Sequence, residues 1–103
     1  MGNRSHLSVA ELQHQVADFN QERGWEDVHT VESLCKAISV EAGELLEVTL
    51  WPKAGQISRD DLLSEMADVA IYLLSLSNLL GIQLDEAIQV KLAGNSSRFP
   101  RIS

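Results

Sequence analysis

One stretch limits the folds open to this chain more than any other. From Met66 to Leu80 the residues are apolar nearly all round a helix, with Met66, Val69, Leu73, Leu76 and Leu80 on one side and Ala67, Ala70, Ile71 and Leu74 on others. A helix with that pattern is covered on every side. A chain of 103 residues makes one domain with a modest core. Helices in a chain this small do not easily surround one of their own, so the simplest cover is a second copy. The pattern predicts a homo-oligomer, a dimer or tetramer, with this helix near the interface.

The helix ends are also legible. Ser8-x-x-Glu11 is a capping box, with Leu7 and Leu12 spaced for a hydrophobic staple, and Leu12, Val16 and Phe19 give the first helix its apolar face before Gly24 ends it. Thr30 is placed to cap a second helix that runs until Trp51-Pro52 stops it. Ser58-x-x-Asp61 opens the third helix and Gly81 closes it, while Asp85 is placed to cap a shorter fourth helix ending at Gly94-Asn95. No strand alternation, repeat or linker is present. The short connection from Pro52 to Gln56 makes helices two and three antiparallel neighbours. The reading is an all-α four-helix bundle, one domain over residues 1–103.

Formal net charge is -7 and no run of Lys or Arg exists, which disfavours nucleic acid as a partner because phosphate neutralisation needs a basic surface. Cys35 is the only cysteine, so no intramolecular disulfide forms and a reducing compartment is the default. The N-terminus lacks the basic-then-apolar plan of a signal peptide. The uncharged stretch from Val69 to Leu84 is short for a membrane span, and Ser75, Ser77, Asn78 and Gly81 weaken it further. These features predict a cytoplasmic protein without a membrane partner.

Two acidic doublets carry the chemistry: Glu41-x-x-Glu44 and Glu65-x-x-Asp68, each inside an apolar helical run. Residues three apart share a helix face, so each doublet aims two carboxylates in one direction. Glu41 falls on the apolar stripe of Leu34, Ile38, Leu45 and Val48, and Asp68 is the only charge between Glu65 and Asp85. A carboxylate without a partner is costly to bury, so positive charge is expected between the two helices. Four oxygen donors with no Cys or His suit a hard cation, Mg2+ or Mn2+. Redox iron in a helical bundle would call for Glu-x-x-His motifs, which neither doublet supplies.

With that spacing the chain resembles the MazG-type all-α nucleoside triphosphate pyrophosphohydrolases. Phe19-x-x-Glu22-Arg23-x-Trp25 with His29 shortly after, Glu41-Ala-Gly-Glu44-Leu-Leu-Glu47, Trp51, Glu65-Met-Ala-Asp68-Val-Ala-Ile-Tyr72-Leu and Lys91-x-x-x-Asn95-x-x-Arg98-Phe99-Pro100 resemble its dCTP pyrophosphatase branch in order and spacing. The resemblance implies that Glu41, Glu44, Glu65 and Asp68 hold magnesium, with Glu47 supporting them. It implies that Trp25, His29, Trp51 and Tyr72 contact the nucleotide, and that Lys91, Asn95 and Arg98 lie near the triphosphate. Aromatic faces suit stacking on a base, and Arg and Lys suit phosphate oxygens. One departure bears on base preference: the branch usually has a His three residues before the Phe, and that position is Val16 here. Phe99 likewise stands where a Tyr is common.

The activity implied is magnesium-dependent hydrolysis of a (deoxy)nucleoside triphosphate, dCTP foremost, to the monophosphate and pyrophosphate, with Glu41 or Glu44 as general base. Its role would be housecleaning of the nucleotide pool. Two alternatives are a catalytically silent helical module that senses nucleotides, and an activity of the phosphoribosyl-ATP pyrophosphohydrolase kind, which the tryptophan pair disfavours.

Overall fold

The computed structural model describes residues 6–51 and 55–102. The described residues are all-α: α1 (Val9–Glu22), a 3-10 turn (Trp25–Asp27), α2 (Val31–Leu50), α3 (Arg59–Leu80) and α4 (Leu84–Arg98). Three helices begin at the caps their sequences supply. Glu11 N–H donates to Ser8 Oγ at 3.1 Å and Ser8 N–H donates back to Glu11 Oε1 at 2.8 Å. Thr30 and Ser33 exchange the same pair of bonds at 3.0 and 2.9 Å, and Asp61 N–H donates to Ser58 Oγ at 3.2 Å. Each cap satisfies backbone donors that the helix leaves free, a contribution of about 1 kcal/mol. Gly24 and Gly81, both at φ 69°, turn the chain out of α1 and α3 in a left-handed conformation that a Cβ would disfavour. Pro52, expected to stop α2, lies outside the described residues.

The fourth helix departs from expectation at both ends. Gln83 rather than Asp85 occupies its cap position and makes no side-chain cap bond, while Asp85 Oδ1 accepts from Glu86 N–H at 2.8 Å inside the first turn. The helix then runs through Gly94 and Asn95 to Arg98. Glycine stops a helix by turning left-handed; Gly94 does not, so it only lowers local propensity by about 1 kcal/mol.

Packing centres on α3, which lies against α2 along one side and α1 along another, with α4 against α1 and α3. Leu34 and Leu74 are the buried apolar side chains among the described residues. The other buried side chains are polar: Gln13, Asn20, Ser75 and Ser77. Gln13 ties three helices together. Its Nε2 donates to Asn78 Oδ1 at 3.1 Å and to the Ile82 carbonyl at 2.7 Å, and its Oε1 accepts from Leu84 N–H at 3.1 Å. Asn78 Nδ2 in turn donates to the Gln13 carbonyl at 3.0 Å.

Within one chain α3 is not covered on every side. Met66, Leu73 and Leu80, seven residues apart and hence on one face, are exposed, as are Val40, Leu46 and Leu50 of α2. The accessible surface is 8331 Å², against roughly 5,800 Å² for a compact monomer of this mass. The radius of gyration is 16.6 Å, against about 13 Å for a compact domain of this length. By length and composition α3 is also apolar enough to cross a membrane. Glu65, Asp68 and Asn78 along it oppose that use, since polar groups at membrane depth are costly.

Candidate functional site

The two acidic doublets meet across α2 and α3. Near the end of α2, Glu47 and Trp51 share a cleft with Ser58 and Asp61 from the start of α3, and Glu44 shares it with Glu65. The helices therefore run antiparallel, as the short connection requires. Carboxylate oxygens of Glu41, Glu44 and Glu65 lie within 4.8 Å of one another. Two ligands on opposite sides of an ion at about 2.1 Å would be about 4.2 Å apart, so this trio is near the spacing a Mg2+ coordination sphere requires.

The partners these carboxylates lack matter as much as their spacing. Glu41 Oε2 and Glu65 Oε2 are buried oxygens without a hydrogen-bond partner. The ion pairs among the described residues are Arg23–Glu22 and Lys36–Glu32, neither of which reaches the trio. Crowding shows in the acidities. Glu41 is pushed up to about 7, first by a hydrogen bond shared with Glu44, then by burial and by the charges of Glu44, Asp68 and Glu65. Glu65 is raised above the ordinary carboxylate range, first by burial and then by the Glu44 and Asp68 charges. An all-oxygen set with orphaned lone pairs fits a hard divalent cation.

Asp68 stands apart from the other three. It is outside the 4.8 Å trio, yet near enough for its charge to raise both Glu41 and Glu65. One helical turn separates it from Glu65, and it faces a second cleft of about 460 Å³ lined by Phe19, Asn20, Trp25, Val28, His29, Ile71, Tyr72 and Ser75. Trp25, His29 and Tyr72 thus line one cleft, without Trp51. Trp25 meets Phe19 edge-on with ring centroids 5.6 Å apart, and the Arg23 guanidinium covers the Phe19 ring at 3.5 Å. That stack fixes one wall. Trp51 lies on the opposite side of the acidic trio, 81% exposed, at the edge of the first cleft, which measures about 690 Å³. Glu47 lines that cleft too.

Lys91, Asn95 and Arg98 line neither cleft. Lys91 borders a separate depression beside Gly81, Ile82 and Gln83, and Arg98 lies over Phe99 at 5.1 Å. Their own chain does not bring these three to the acidic trio. Val16 lines neither cleft, whereas Asn20, one turn further along the same face, lines the aromatic one together with Ser75. Nothing in the sequence marks Asn20 or Ser75 as part of a site: each shares its helical face with other polar residues, Gln13 on α1 and Asp68 and Asn78 on α3.

Comparisons with known proteins bear on the family and the fold. A family model described as the MazG-like family matches residues 36–102. The chain is 36% identical over 92 residues to dCTP pyrophosphatase 1 of Rattus norvegicus, covering 82% of this chain and 54% of the relative. It is 34% identical over 92 residues to dCTP pyrophosphatase 1 of Homo sapiens, with the same 82% and 54% coverage. The chain thus spans about half the length of these curated relatives. Among solved structures, a pyrophosphatase from Archaeoglobus fulgidus DSM 4304 matches with a TM-score of 0.76 and 31% identity, over 98% of this chain and 100% of that one. The iMazG of Vibrio DAT 722 shares the fold, with a TM-score of 0.64 and 24% identity over 92% of this chain and 100% of that one.

Proposed function

The chain belongs to the MazG-like family, and on that premise we propose that it hydrolyses (deoxy)nucleoside triphosphates to the monophosphate and pyrophosphate, requires Mg2+ or Mn2+, and prefers dCTP. The similarity to proteins named dCTP pyrophosphatase 1 and to a pyrophosphatase of known structure supports the reading. The observation that carries it is the acidic trio with its two orphaned buried oxygens on adjacent helices. A module needing only an interface gains nothing from carboxylates held in mutual repulsion.

Glu41, Glu44, Glu65 and Asp68 are the residues that would hold the ion. A divalent cation held by them would supply neutralisation of the triphosphate oxygens and of the leaving pyrophosphate. Glu41 or Glu44 takes a proton from the water that attacks the α-phosphorus, and the bond from that phosphorus to the oxygen bridging the α- and β-phosphates breaks, the oxygen leaving as part of pyrophosphate. Trp25, His29 and Tyr72 receive the base in the aromatic cleft, beside Asp68. Trp51 and the acidic cleft lie on the far side of the trio, where a polyanion is tolerated only with cations.

Lys91, Asn95 and Arg98 reach the triphosphate from a second copy of the chain. The exposed apolar face of α3 and the excess of accessible surface support that homo-oligomer. A cytoplasmic role in clearing surplus or modified pyrimidine triphosphates follows from the same reading.

Pyrophosphate release from a panel of dNTPs and NTPs tests the function. Release that requires Mg2+ and stops with EDTA is expected; no release from any nucleotide at millimolar Mg2+ would overturn it. Light scattering tests assembly, and a monodisperse monomer at micromolar concentration would refute the oligomer.

A further inference from the structure

We propose that Asn20 reads the base: its side-chain oxygen accepts a hydrogen bond from an exocyclic amino group, favouring cytosine over uracil and thymine. The inference rests on the nucleotide-site reading above, and it assigns a specificity residue that the acidic signature does not contain.

The amide of Asn20 has one orientation available. Ser75 Oγ donates its single proton to the Ile71 carbonyl at 3.0 Å. With that proton committed, the hydroxyl can only accept. The Asn20 group facing it at 3.0 Å is therefore the NH2, Nδ2. Oδ1 points the other way; it takes no hydrogen bond from the described residues and, unlike Glu41 Oε2 and Glu65 Oε2, it is not sealed from solvent. Asn20 is 6% exposed and Ser75 4%, so the pair is locked within the packed joint of α1 and α3. A nearly buried amide with one end tied and the other an acceptor open to solvent is a group a polar ligand can satisfy.

Its location supplies the ligand chemistry. Asn20 and Ser75 line the aromatic cleft with Trp25, His29 and Tyr72, next to Asp68. They also line the adjoining cleft, where Asn20 and His29 are again neighbours. Ring faces there hold a base without choosing among bases, so the choice falls to directional polar groups. Cytosine presents an NH2 donor at its 4-position, which Oδ1 accepts. Uracil and thymine present an oxygen there, leaving two acceptors face to face. Adenine carries its amino group at the equivalent 6-position and passes this filter; guanine has an oxygen there, its amino group being at the 2-position.

Ser75 is then a positioning residue. It touches no substrate but keeps the amide from rotating to present NH2 to the cleft. The test is equilibrium binding of α,β-imido analogues of dCTP and dUTP with Mg2+, which reports selection without turnover. Wild-type protein should bind the dCTP analogue more tightly by about tenfold or more, the scale of one directional contact. Asn20→Ala and Ser75→Ala should each bring the two analogues within about threefold. A ratio of dissociation constants does not depend on the fraction of protein folded. Should Asn20→Ala fail to fold, Ser75→Ala, which removes one oxygen, decides the matter. Equal wild-type affinities, or full preference in either variant, would overturn the proposal. Hydrolysis of dCTP is followed separately: no turnover with the binding preference intact discards the hydrolase and leaves the reader standing.

Discussion

At the Glu65 end of α3, carboxylates from two helices crowd together with oxygens that nothing satisfies; toward the Gly81 end, Gln13 and Asn78 bury amides whose bonds close on each other and on the backbone at 2.7–3.1 Å. Both regions put polar groups inside a small helical protein. They differ in whether the protein itself supplies the partners. A satisfied network is architecture, because its bonds are complete when the chain folds. An unsatisfied one is held against its own cost by the surrounding helices and awaits something from solution. Asn20 lies between the two regimes, tied to Ser75 at one atom and open at the other.

The largest expected effect comes from neutralising the crowded end. Glu41→Gln, Glu44→Gln, Glu65→Gln and Asp68→Asn should each lower kcat/KM by about a thousandfold, the scale of a strong electrostatic contact at a reacting centre. The chain should stay folded, and Glu41→Gln and Glu65→Gln should raise the melting temperature of the metal-free protein by relieving repulsion. Near wild-type rates in two of these variants at saturating Mg2+ would remove the distinction between the two ends.

The satisfied end should respond in the opposite way. Gln13→Ala leaves Asn78, the Ile82 carbonyl and Leu84 N–H without their partner. Chemical denaturation should show a loss of about 2–4 kcal/mol, while Mg2+ affinity of the folded protein stays as it was. A Gln13→Ala protein of unchanged stability but poor Mg2+ affinity would invert the comparison.

These contrasts mark what a sequence exposes. The capping pairs Ser8–Glu11 and Thr30–Ser33 and the terminal Gly24 and Gly81 are local patterns, readable because the partners lie within one helical turn. The acidic doublets are readable because their spacing repeats on two helices joined by a short connection. Asn20 and Ser75 are 55 residues apart, and nothing local reveals that they meet. Gly94 looks like a stop, but a glycine turns left-handed only where the chain beyond it leaves the helix. Here α4 continues to Arg98. Lys91, Asn95 and Arg98 have their place in the sequence motif, and their own chain does not bring them to the clefts beside the trio. Asp68 belongs to the doublet by spacing, and the structure turns it toward the aromatic cleft.

Acidity gives a finer comparison. Glu41 is raised from 4.5 to about 7, and Glu65 is raised as well. Such groups stabilise the metal-free fold at low pH, where they are protonated, and that contribution is lost as pH rises from 4.5 through about 7. Metal requires the ionised form, so Mg2+ affinity should run the other way, improving by up to about tenfold per pH unit below 7 and levelling above it. Melting temperatures and Mg2+ titrations between pH 5 and pH 8 would check both signs. Flat profiles would mean the carboxylates do not interact as described.

The smallest effect expected is at Trp51. Trp51 borders the acidic cleft, across the trio from the cleft that receives the base, so Trp51→Ala should raise KM by only about two- to threefold, for several nucleotides alike. A change confined to one base would instead give Trp51 a reading role.

The central claim is that the unsatisfied end is a metal site, and a Mg2+ titration of thermal unfolding without nucleotide tests it most directly. Saturating Mg2+ should raise the melting temperature of wild-type protein, at 100 times Kd by the equivalent of about 2.7 kcal/mol, and Mn2+ should act similarly. The Glu41→Gln/Glu65→Gln double variant should melt at the same temperature with and without the ion. No shift in the wild type at millimolar Mg2+, or an equal shift in the double variant, would contradict the metal site.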